Sequence, residues 1–304
     1  MTEAPRIISA SRRTDIPAWY TPWLLNRLQA GFCHYPNPRF PAKLHRVSLR
    51  SADVLGIVFW TRNPAPLLPH LGSLDHWGYD YYFQYTLTGY PRALEPFAPP
   101  VEQALATFRS LAQRLGPRRV IWRYDPIILG STLTVPWHRD NFRRLADALD
   151  GATKRVVISV IDPYRKNRRL VEATVGSIDY HPEAYRELLQ YLAQEAADRH
   201  LPMESCAEPS LSIPGISAGR CIDAGMFRAA GRHQRHGLRP GCGCHRSIDI
   251  GVNDTCPCGC CYCYATADPR KAREAAERHN PRWSCITGDI PETAFCAASD
   301  EGTP

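Results

Sequence analysis

The stretch Val54-Leu-Gly-Ile-Val-Phe-Trp60 is an unbroken apolar run that ends in the polar segment Thr61-Arg-Asn-Pro64. A strand of a parallel sheet has this pattern, because helices cover both faces of such a sheet and neither face meets water. Similar β-rich runs lie at residues 6–11, 81–88, 119–123, 154–161 and 202–206. Between these runs, helical periodicity is found at residues 19–30, 101–115, 137–149 and 182–200.

Strands that alternate with helices over this length predict an α/β fold with a parallel sheet and crossover helices. The number of units in 304 residues favours a (β/α) barrel, complete or partial, over an open doubly wound sheet. No G-x-G-x-x-G follows the first strand, which argues against a dinucleotide-binding fold. We expect a barrel core at residues 1–205, a Cys-rich segment at 206–268 packed on the barrel mouth, and a C-terminal tail at 269–304.

The composition is that of an ordinary globular protein, with 44% apolar and 22% charged residues. No apolar run approaches the length that spans a bilayer, so no membrane partner is expected. The first residues lack the apolar core of a signal peptide, which predicts a cytoplasmic protein. The net charge of +7 permits an anionic partner, but the sequence has no long basic tract.

The most informative motif is Cys256-Pro-Cys-Gly-Cys260-Cys-Tyr-Cys263, in which Cys256, Cys260 and Cys263 are spaced C-x3-C-x2-C. Three thiolates in one short loop can hold three irons of a 4Fe-4S cluster and leave the fourth iron open for a ligand. The motif resembles that of radical S-adenosylmethionine (SAM) enzymes, C-x3-C-x-aromatic-C. Tyr262 supplies the aromatic residue and is predicted to lie beside the cofactor.

Structural zinc is the alternative interpretation of these cysteines. Zinc sites use four Cys, or Cys with His, usually as two C-x2-C pairs separated by a longer spacer. Cys258 and Cys261 could complete such a set. Thiolate softness and the C-x3-C-x2-C spacing favour iron–sulfur. A disulfide framework is the least favoured, because the chain has no signal peptide.

Polar residues follow the predicted strands and should converge at the carboxyl ends of a barrel, where active sites lie. This set comprises Arg12, Arg13, Asp15, Arg62, Asn63, Gln84, Thr86, Arg123, Asp125, Ser159, Asp162 and Glu208. The predicted catalytic residues are Arg12, Arg13, Asp15, Arg62, Arg123, Asp125 and Glu208. Asn63 and Gln84 are predicted, with Tyr262, to contact the cofactor.

Guanidinium groups among carboxylates suit an anionic or zwitterionic ligand. Structural roles compete with this interpretation. Asp15 and Asp125 could only cap the helices or turns that follow them. Arg123 could form a buried pair with Asp125 or Asp15, and Gln84 could be a satisfied core amide.

A second group of cysteines lies outside the C-x3-C-x2-C motif. Cys206 follows a predicted strand, Cys221 lies in Gly219-Arg-Cys-Ile-Asp223, and Cys242-Gly-Cys244 is a compact pair. The four could form a closed four-thiolate site for zinc or for a second iron–sulfur cluster. Alternatively, some of them are small buried apolar residues, as free Cys often are.

Several segments resemble the domain-of-unknown-function 1848 family, from about residue 6 to about residue 266. They are Ile8-Ser-Ala-Ser-Arg-Arg-Thr-Asp-Ile-Pro17, Val58-Phe-Trp-Thr-Arg-Asn-Pro64, Val120-Ile-Trp-Arg-Tyr-Asp-Pro126, Ser205-Cys-Ala-Glu208 and the segment from Asp249 to Tyr264. The resemblance implies a barrel-like fold, of radical SAM type, with a C-terminal cysteine motif similar to that of spore photoproduct lyase relatives. In this sequence the motif corresponds to Cys256, Cys260 and Cys263.

The family pattern also has cysteines at the positions of Cys206, Cys221, Cys242 and Cys244, whereas Cys258 and Cys261 occupy positions that are usually not Cys. The motif differs from ordinary radical SAM proteins because it follows the last predicted strand and not the first. Barrel closure would bring the last strand beside the first, near residues 12–15. The sequence has no clear Gly-Gly-Glu-like segment for the SAM amino group.

These patterns predict an iron–sulfur enzyme of radical SAM type that acts on an unknown substrate, either a small anion or a nucleic-acid derivative. Lyase or DNA-repair-like chemistry would fit the resemblance. Such an enzyme needs an electron donor such as ferredoxin or flavodoxin. Two alternatives stay open: a zinc-stabilised nucleic-acid-binding protein, and an iron–sulfur redox or electron-transfer protein that does not use SAM.

Overall fold

The structure of the protein is a computed structural model that describes residues 4–162, 164–206, 212–229, 235–236 and 241–290. Its strands are β1 Arg6–Ala10, β2 Phe32–Pro36, β3 Leu44–Ser48, β4 Val54–Thr61, β5 Tyr81–Thr86, β6 Val120–Ile127, β7 Val156–Val160, β8 Met203–Ser205, β9 Ile216–Ala218 and β10 Ser247–Asp249. Its helices are α1 Ile16–Trp19, α2 Thr21–Ala30, α3 Leu71–His76, α4 Val101–Leu115, α5 Val135–Ala148, α6 Arg165–Val175, α7 Arg186–Asp198 and α8 Pro269–Glu277.

Eight strands form one sheet in the order β10-β1-β4-β5-β6-β7-β8-β9, and neighbouring strands run parallel. The predicted α/β fold with a parallel sheet is therefore confirmed. The remaining two strands, β2 and β3, form a separate antiparallel hairpin. Among the described strands the sheet does not close into a barrel, because β9 and β10 are not hydrogen-bonded to each other.

Side chains alternate between the two faces of the sheet, as the two-residue period of a strand requires. One face packs under the helices and carries Ile8, Phe59, Phe83, Trp122 and Ile158. The opposite face, called the inner face below, carries Ile7, Val58, Tyr82, Ile121 and Val157. Both faces are therefore buried, which explains why the strands are nearly continuous in apolar residues.

The inner face is covered by part of the Cys-rich segment. Ile222, Ala224 and Phe227 pack against the inner-face residues. A Cβ atom at Gly56 in β4 would lie 2.2 Å from the ring of Phe227, so the ring rests directly on the strand backbone. The predicted mouth segment thus reaches the interior of the fold. The predicted boundary at residue 205 also runs through the sheet, because β9 and β10 follow it.

The predicted strands and helices agree with the observed elements to within a few residues, and α4 has the predicted bounds. The sequence patterns missed the β2–β3 hairpin, α3, α6, β9 and β10. The last two strands have three residues each and no apolar run. Such short strands give no period to detect.

The predicted C-terminal tail is structured up to residue 290 and packs against α2. The indole Nε1 of Trp23 donates to the carbonyl of Trp283 at 2.9 Å. Cys285 and Ile286 are buried in the helix-side core. Residues 291–304 of this tail lie outside the described residues.

In the described part of the chain, no helix is both long enough and apolar enough to cross a bilayer.

Candidate metal centre at the strand ends

A cavity of about 470 Å³ lies at the carboxyl ends of the central strands. Its wall contains most of the predicted catalytic residues: Arg12, Arg13, Asp15, Arg62, Arg123 and Asp125. The same wall contains eight cysteines: Cys206, Cys221, Cys242, Cys244, Cys256, Cys258, Cys260 and Cys263. The strand-end polar set and both cysteine groups therefore meet in one place, although they are far apart in the sequence.

The C-x3-C-x2-C loop enters the cavity from β10, which pairs with β1. The last predicted strand, residues 202–206, does not lie beside β1, because β8 pairs with β7 and β9. The position beside β1 belongs to β10, a strand that the sequence patterns missed, and this pairing brings the loop next to residues 12–15. The hydroxyl groups of Thr14 and Thr255 are 2.7 Å apart, and Tyr20 donates to the carbonyl of Thr255 at 2.6 Å. At the start of the motif, the amide of Asp15 donates to Cys256 Sγ at 3.5 Å.

The two additional cysteines of the motif have different surroundings. Cys258 faces the cavity and accepts a hydrogen bond from Trp19 Nε1 at 3.2 Å. Cys261 points away, packs in an apolar cluster with Tyr90, and donates to the carbonyl of Ala93 at 3.2 Å. Cys258 is therefore placed as a fourth thiol of the loop, whereas Cys261 is a core residue.

A buried ion pair lies directly beneath the loop. Arg62 and Glu95 are 2.8 Å apart, and the Tyr262 hydroxyl hydrogen-bonds to both side chains. Thr88 also donates to Glu95 at 2.6 Å. Burial raises the pKa of Cys260 well above its ordinary value, and the nearby Arg62 cation opposes that shift. Tyr262, predicted to contact a cofactor, thus lines the cavity while its hydroxyl group is fixed in this network.

The two arginines that follow β1 share one carboxylate. Arg12 Nε is 3.4 Å from Asp249 Oδ2, and Arg13 Nε is 3.3 Å from Asp249 Oδ1. Ser9 donates to the same carboxylate at 3.0 Å, and Ser11 does so as well. These cations hold the pKa of Asp249 below its ordinary value even though burial acts in the opposite direction. The sequence interpretation missed Asp249, which lies about 240 residues from its partners.

Arg123 is also paired, as one of the structural interpretations predicted. Its Nε donates to Asp125 at 3.0 Å, and its NH1 donates to Cys221 Sγ at 3.0 Å. Burial would raise the pKa of Asp125, but Arg123 and a hydrogen bond from Ser159 keep it below its ordinary value. Each of the four predicted arginines therefore has a carboxylate partner. An anionic ligand would have to use the N–H groups that remain.

Asp15 combines the two roles that the sequence left open. Its Oδ1 caps α1 by accepting from the amide of Ala18 at 3.0 Å, and its Oδ2 accepts from the amide of Arg62 at 2.7 Å. It also lines the cavity. Burial raises its pKa to about 6. The carboxylate consequently ties the β1 and β4 strand ends together beside the motif.

Three predicted site residues are not on the described cavity wall. Asn63 accepts from the amide of Ala65 in a turn. Gln84 lies behind the wall and donates to the carbonyl of Cys221 at 2.7 Å. Glu208 lies outside the described residues.

One aromatic residue of the cavity wall is not among the predicted site residues. Trp60 lines the cavity, and the guanidinium groups of Arg12 and Arg123 lie 5.8 Å and 5.0 Å from its ring centre. Cations at this distance are attracted to an indole face. Trp60 immediately precedes a polar strand end, and this was the feature of the sequence that could have predicted its position on the cavity wall.

The donor chemistry of the wall suits a thiolate-bound group. Among the described residues, no three or more His, Cys, Asp or Glu side chains are already arranged around a single metal ion. A cluster makes a different demand, because its cysteines bind separate irons and need not converge on one point. Cys256, Cys260 and Cys263 satisfy this requirement, because they are three soft donors from one loop that face one cavity.

Comparison with known proteins gives a family without an assigned activity. A family model described as a domain of unknown function, DUF1848, matches residues 7–265. A search of curated proteins finds no match.

Proposed function

This chain belongs to the DUF1848 family, and we propose that it is a 4Fe-4S enzyme of radical SAM type built on a partial (β/α) barrel. The observation that carries the proposal is the position of Cys256, Cys260 and Cys263 on the wall of the strand-end cavity. Active sites of parallel α/β barrels occupy this end of the sheet. A cluster held there would face the space in which a substrate can bind.

The three motif thiolates would hold the cluster. With one iron open to SAM, such a cluster supplies one-electron radical chemistry to the cavity. The chain itself limits the access of water to the site, because Cys256 and Tyr262 are buried and Cys260 and Cys263 are partly buried. The Arg62–Glu95–Tyr262 network fixes the last turn of the loop.

The cavity wall also supports binding of a small polar molecule. Trp60 and Tyr262 offer aromatic surface, and Arg12 and Arg123 present N–H donors. Because these cations are paired with Asp249 and Asp125, the cavity suits a zwitterionic ligand better than a highly charged anion. SAM combines an amino-acid zwitterion with a sulfonium cation and an aromatic base, and is compatible with such a wall.

An iron–sulfur redox protein without SAM is the second candidate. A cavity of about 470 Å³ argues against it, since electron transfer alone needs no substrate space. The zinc-stabilised nucleic-acid-binding alternative gains no support from the cavity, because its four arginines are paired with three carboxylates and leave little uncompensated positive charge.

Anaerobic purification with iron and sulfide analysis tests the proposal. We expect about four irons and four sulfides in the wild-type C-x3-C-x2-C site. Cys260→Ala should remove the cluster absorbance, whereas the matched variant Cys261→Ala should keep it, because Cys261 faces the apolar cluster. Full iron content in the Cys260→Ala protein would overturn the cluster assignment.

The SAM part of the proposal has its own readout. The electron paramagnetic resonance spectrum of the reduced protein should change when SAM is added, because the ligand would occupy the open iron. An unchanged spectrum in a protein with full iron content would reject SAM binding and favour the iron–sulfur redox protein without SAM. The ferredoxin or flavodoxin partner is then tested by reduction of the cluster with either donor.

A further inference from the structure

Two cysteines outside the C-x3-C-x2-C motif meet on the wall of the strand-end cavity. Cys206 directly follows β8, and Cys221 follows β9. Ser205 of β8 pairs with Ala218 of the parallel strand β9, and the amide of Gly219 continues this pairing by donating to the carbonyl of Ser205 at 2.8 Å. The sheet therefore holds the two chain segments that carry these thiols side by side.

The two thiols are in direct contact. The sulfur atoms of Cys206 and Cys221 are 3.2 Å apart. A disulfide bond is about 2.05 Å long and requires two side chains that point toward each other. None of the cysteines in the described part of the chain is in a disulfide, so both thiols are in their reduced form. The pair thus has the orientation that a disulfide needs, and the sulfur atoms would have to approach by about 1 Å.

The pair can be reached through the cavity. Both cysteines line it, but Cys206 is partly exposed whereas Cys221 is buried. The cavity has a volume of about 470 Å³, which is enough for a small organic molecule. A small reagent that enters it would therefore meet the Cys206 thiol first, with Cys221 directly behind.

A cation lies beside the buried thiol. Arg123 NH1 donates to Cys221 Sγ at 3.0 Å. A neighbouring cation favours the thiolate, which is the form of cysteine that attacks a disulfide. The contact with Cys221 and burial act in the opposite direction on Cys206 and raise its pKa. Thiol–disulfide exchange at this pair is therefore expected to take minutes to hours.

We propose that Cys206 and Cys221 form a reversible disulfide by exchange with a small organic disulfide that enters the cavity. The Cys206 thiolate attacks one sulfur of the organic disulfide, and the other sulfur leaves as a thiolate. Cys221 then attacks Cys206 Sγ, forms the intramolecular bond and releases the second half of the reagent. In total the two cysteines lose two electrons and two protons, and the organic disulfide gains them as two thiols.

The disulfide would change the hydrogen bonding of the cavity wall. A guanidinium bonds more strongly to a thiolate than to a neutral sulfur. After oxidation, Arg123 would be held mainly by Asp125 and Gln84, to which it already donates at 3.0 Å and 3.3 Å. The redox state of the pair would therefore act on an arginine that lines the cavity. Disulfide formation itself does not rest on the proposed function, because neither cysteine belongs to the C-x3-C-x2-C motif.

Thiol counting and peptide mapping of the full chain test the proposal. Anaerobic protein is incubated with 2-hydroxyethyl disulfide and denatured with a chelator, and the remaining thiols are alkylated and counted by mass spectrometry. We expect two fewer thiols than the twelve cysteines of the chain, and all twelve after treatment with dithiothreitol. Trypsin cleaves after Arg220, so the bond should appear as a linked pair of peptides, residues 200–220 and 221–228.

Three variants separate this pair from the other thiols. Cys221→Ser should stop at the first step, with Cys206 carrying one half of the reagent. Cys261→Ser is the matched control and should give the same linked peptides as the wild-type chain, because that thiol lies in an apolar cluster. Cys260→Ala, which removes the proposed cluster, should also give them.

A full count of twelve thiols in the wild-type protein after the incubation would refute the proposal. Linked peptides that contain a different cysteine would refute it as well. Loss of iron on oxidation would also refute it, because that result would identify these thiols as cluster ligands. In a preparation without iron, which would refute the proposed function, the linked peptides 200–220 and 221–228 are still expected.

Discussion

The buried Arg62–Glu95 pair gives the sharpest test of how the motif loop is supported. Glu95→Gln removes the negative charge but keeps the size of the side chain. In the wild-type chain, Glu95 accepts from Arg62, Thr88 and Tyr262. Burial and these partners leave little water near the pair, since the Arg62 and Glu95 side chains are only 12% and 6% exposed.

The expected loss of stability follows from the charge of Arg62, which has no carboxylate partner in the variant. Arg62 stays protonated in the variant, because a guanidinium cannot lose its proton in a protein. The glutamine amide also turns an N–H group toward donors that previously met a carboxylate. Removal of one partner of a buried pair costs about 3–5 kcal/mol of folding free energy. We expect Glu95→Gln to lower the free energy of unfolding by that amount.

The assay is urea unfolding of anaerobically purified protein, with Glu102→Gln as the matched control. Glu102 makes the same kind of contact on the surface, 3.6 Å from Arg144, but its side chain is 84% exposed. Surface pairs contribute about 0–1 kcal/mol, so the control should unfold near the wild-type midpoint.

Equal midpoints for the two variants would refute this reasoning. That result would mean that water reaches Arg62 and that the network does not fix the loop. A large loss in Glu95→Gln together with reduced iron content would instead connect the ion pair to the geometry of Cys260 and Cys263.

Two further predictions concern residues that are buried in the core or pack against it. Gly56→Ala places a methyl group against the Phe227 ring and should cost about 1–3 kcal/mol in thermal or urea unfolding; Gly72→Ala, which meets nothing within 4 Å, should change stability by no more than about 1 kcal/mol. Burial lowers the pKa of His138 from 6.5 to about 4, so the unfolded chain takes up a proton first as the pH falls. Stability should therefore decrease between pH 6.5 and 4, by roughly 3 kcal/mol from this group. His138→Gln should lack that part of the pH dependence, and an unchanged slope of the urea midpoint against pH would contradict the assignment.

The sequence alone predicted the central strands and the convergence of the polar residues at the strand ends. Residues 54–60 are apolar without interruption, and β7 is interrupted only by Ser159, because both faces of these strands are covered. Arg62 follows such a strand, Arg123 is the last residue of the predicted strand at 119–123, and parallel strands end on the same side of a sheet. Their convergence on one cavity is therefore a direct consequence of local pattern and topology.

The partners of these residues were not predictable in the same way. Asp249 ends a three-residue strand that has no apolar run, and Glu95 lies in a turn after β5. The role of both carboxylates depends on contacts with residues that are distant in the sequence. The apolar periodicity of the local sequence therefore does not identify them. The position of Phe227 against Gly56 was likewise set by the shape of the inner face and not by any local motif.

The pairing of β1 with β10 imposes an order on the assembly of this protein. Ile8 pairs with Ile248, so the first strand has one neighbour that is synthesised last. At about 5–20 residues per second, translation of the intervening chain takes on the order of tens of seconds. During that time the inner-face side chains of β1, β4 and β5 lack Phe227 and the residues around it. A ribosome-bound chain that ends before residue 227 should therefore expose apolar surface and be a substrate for chaperones, while release of the full chain should end that exposure.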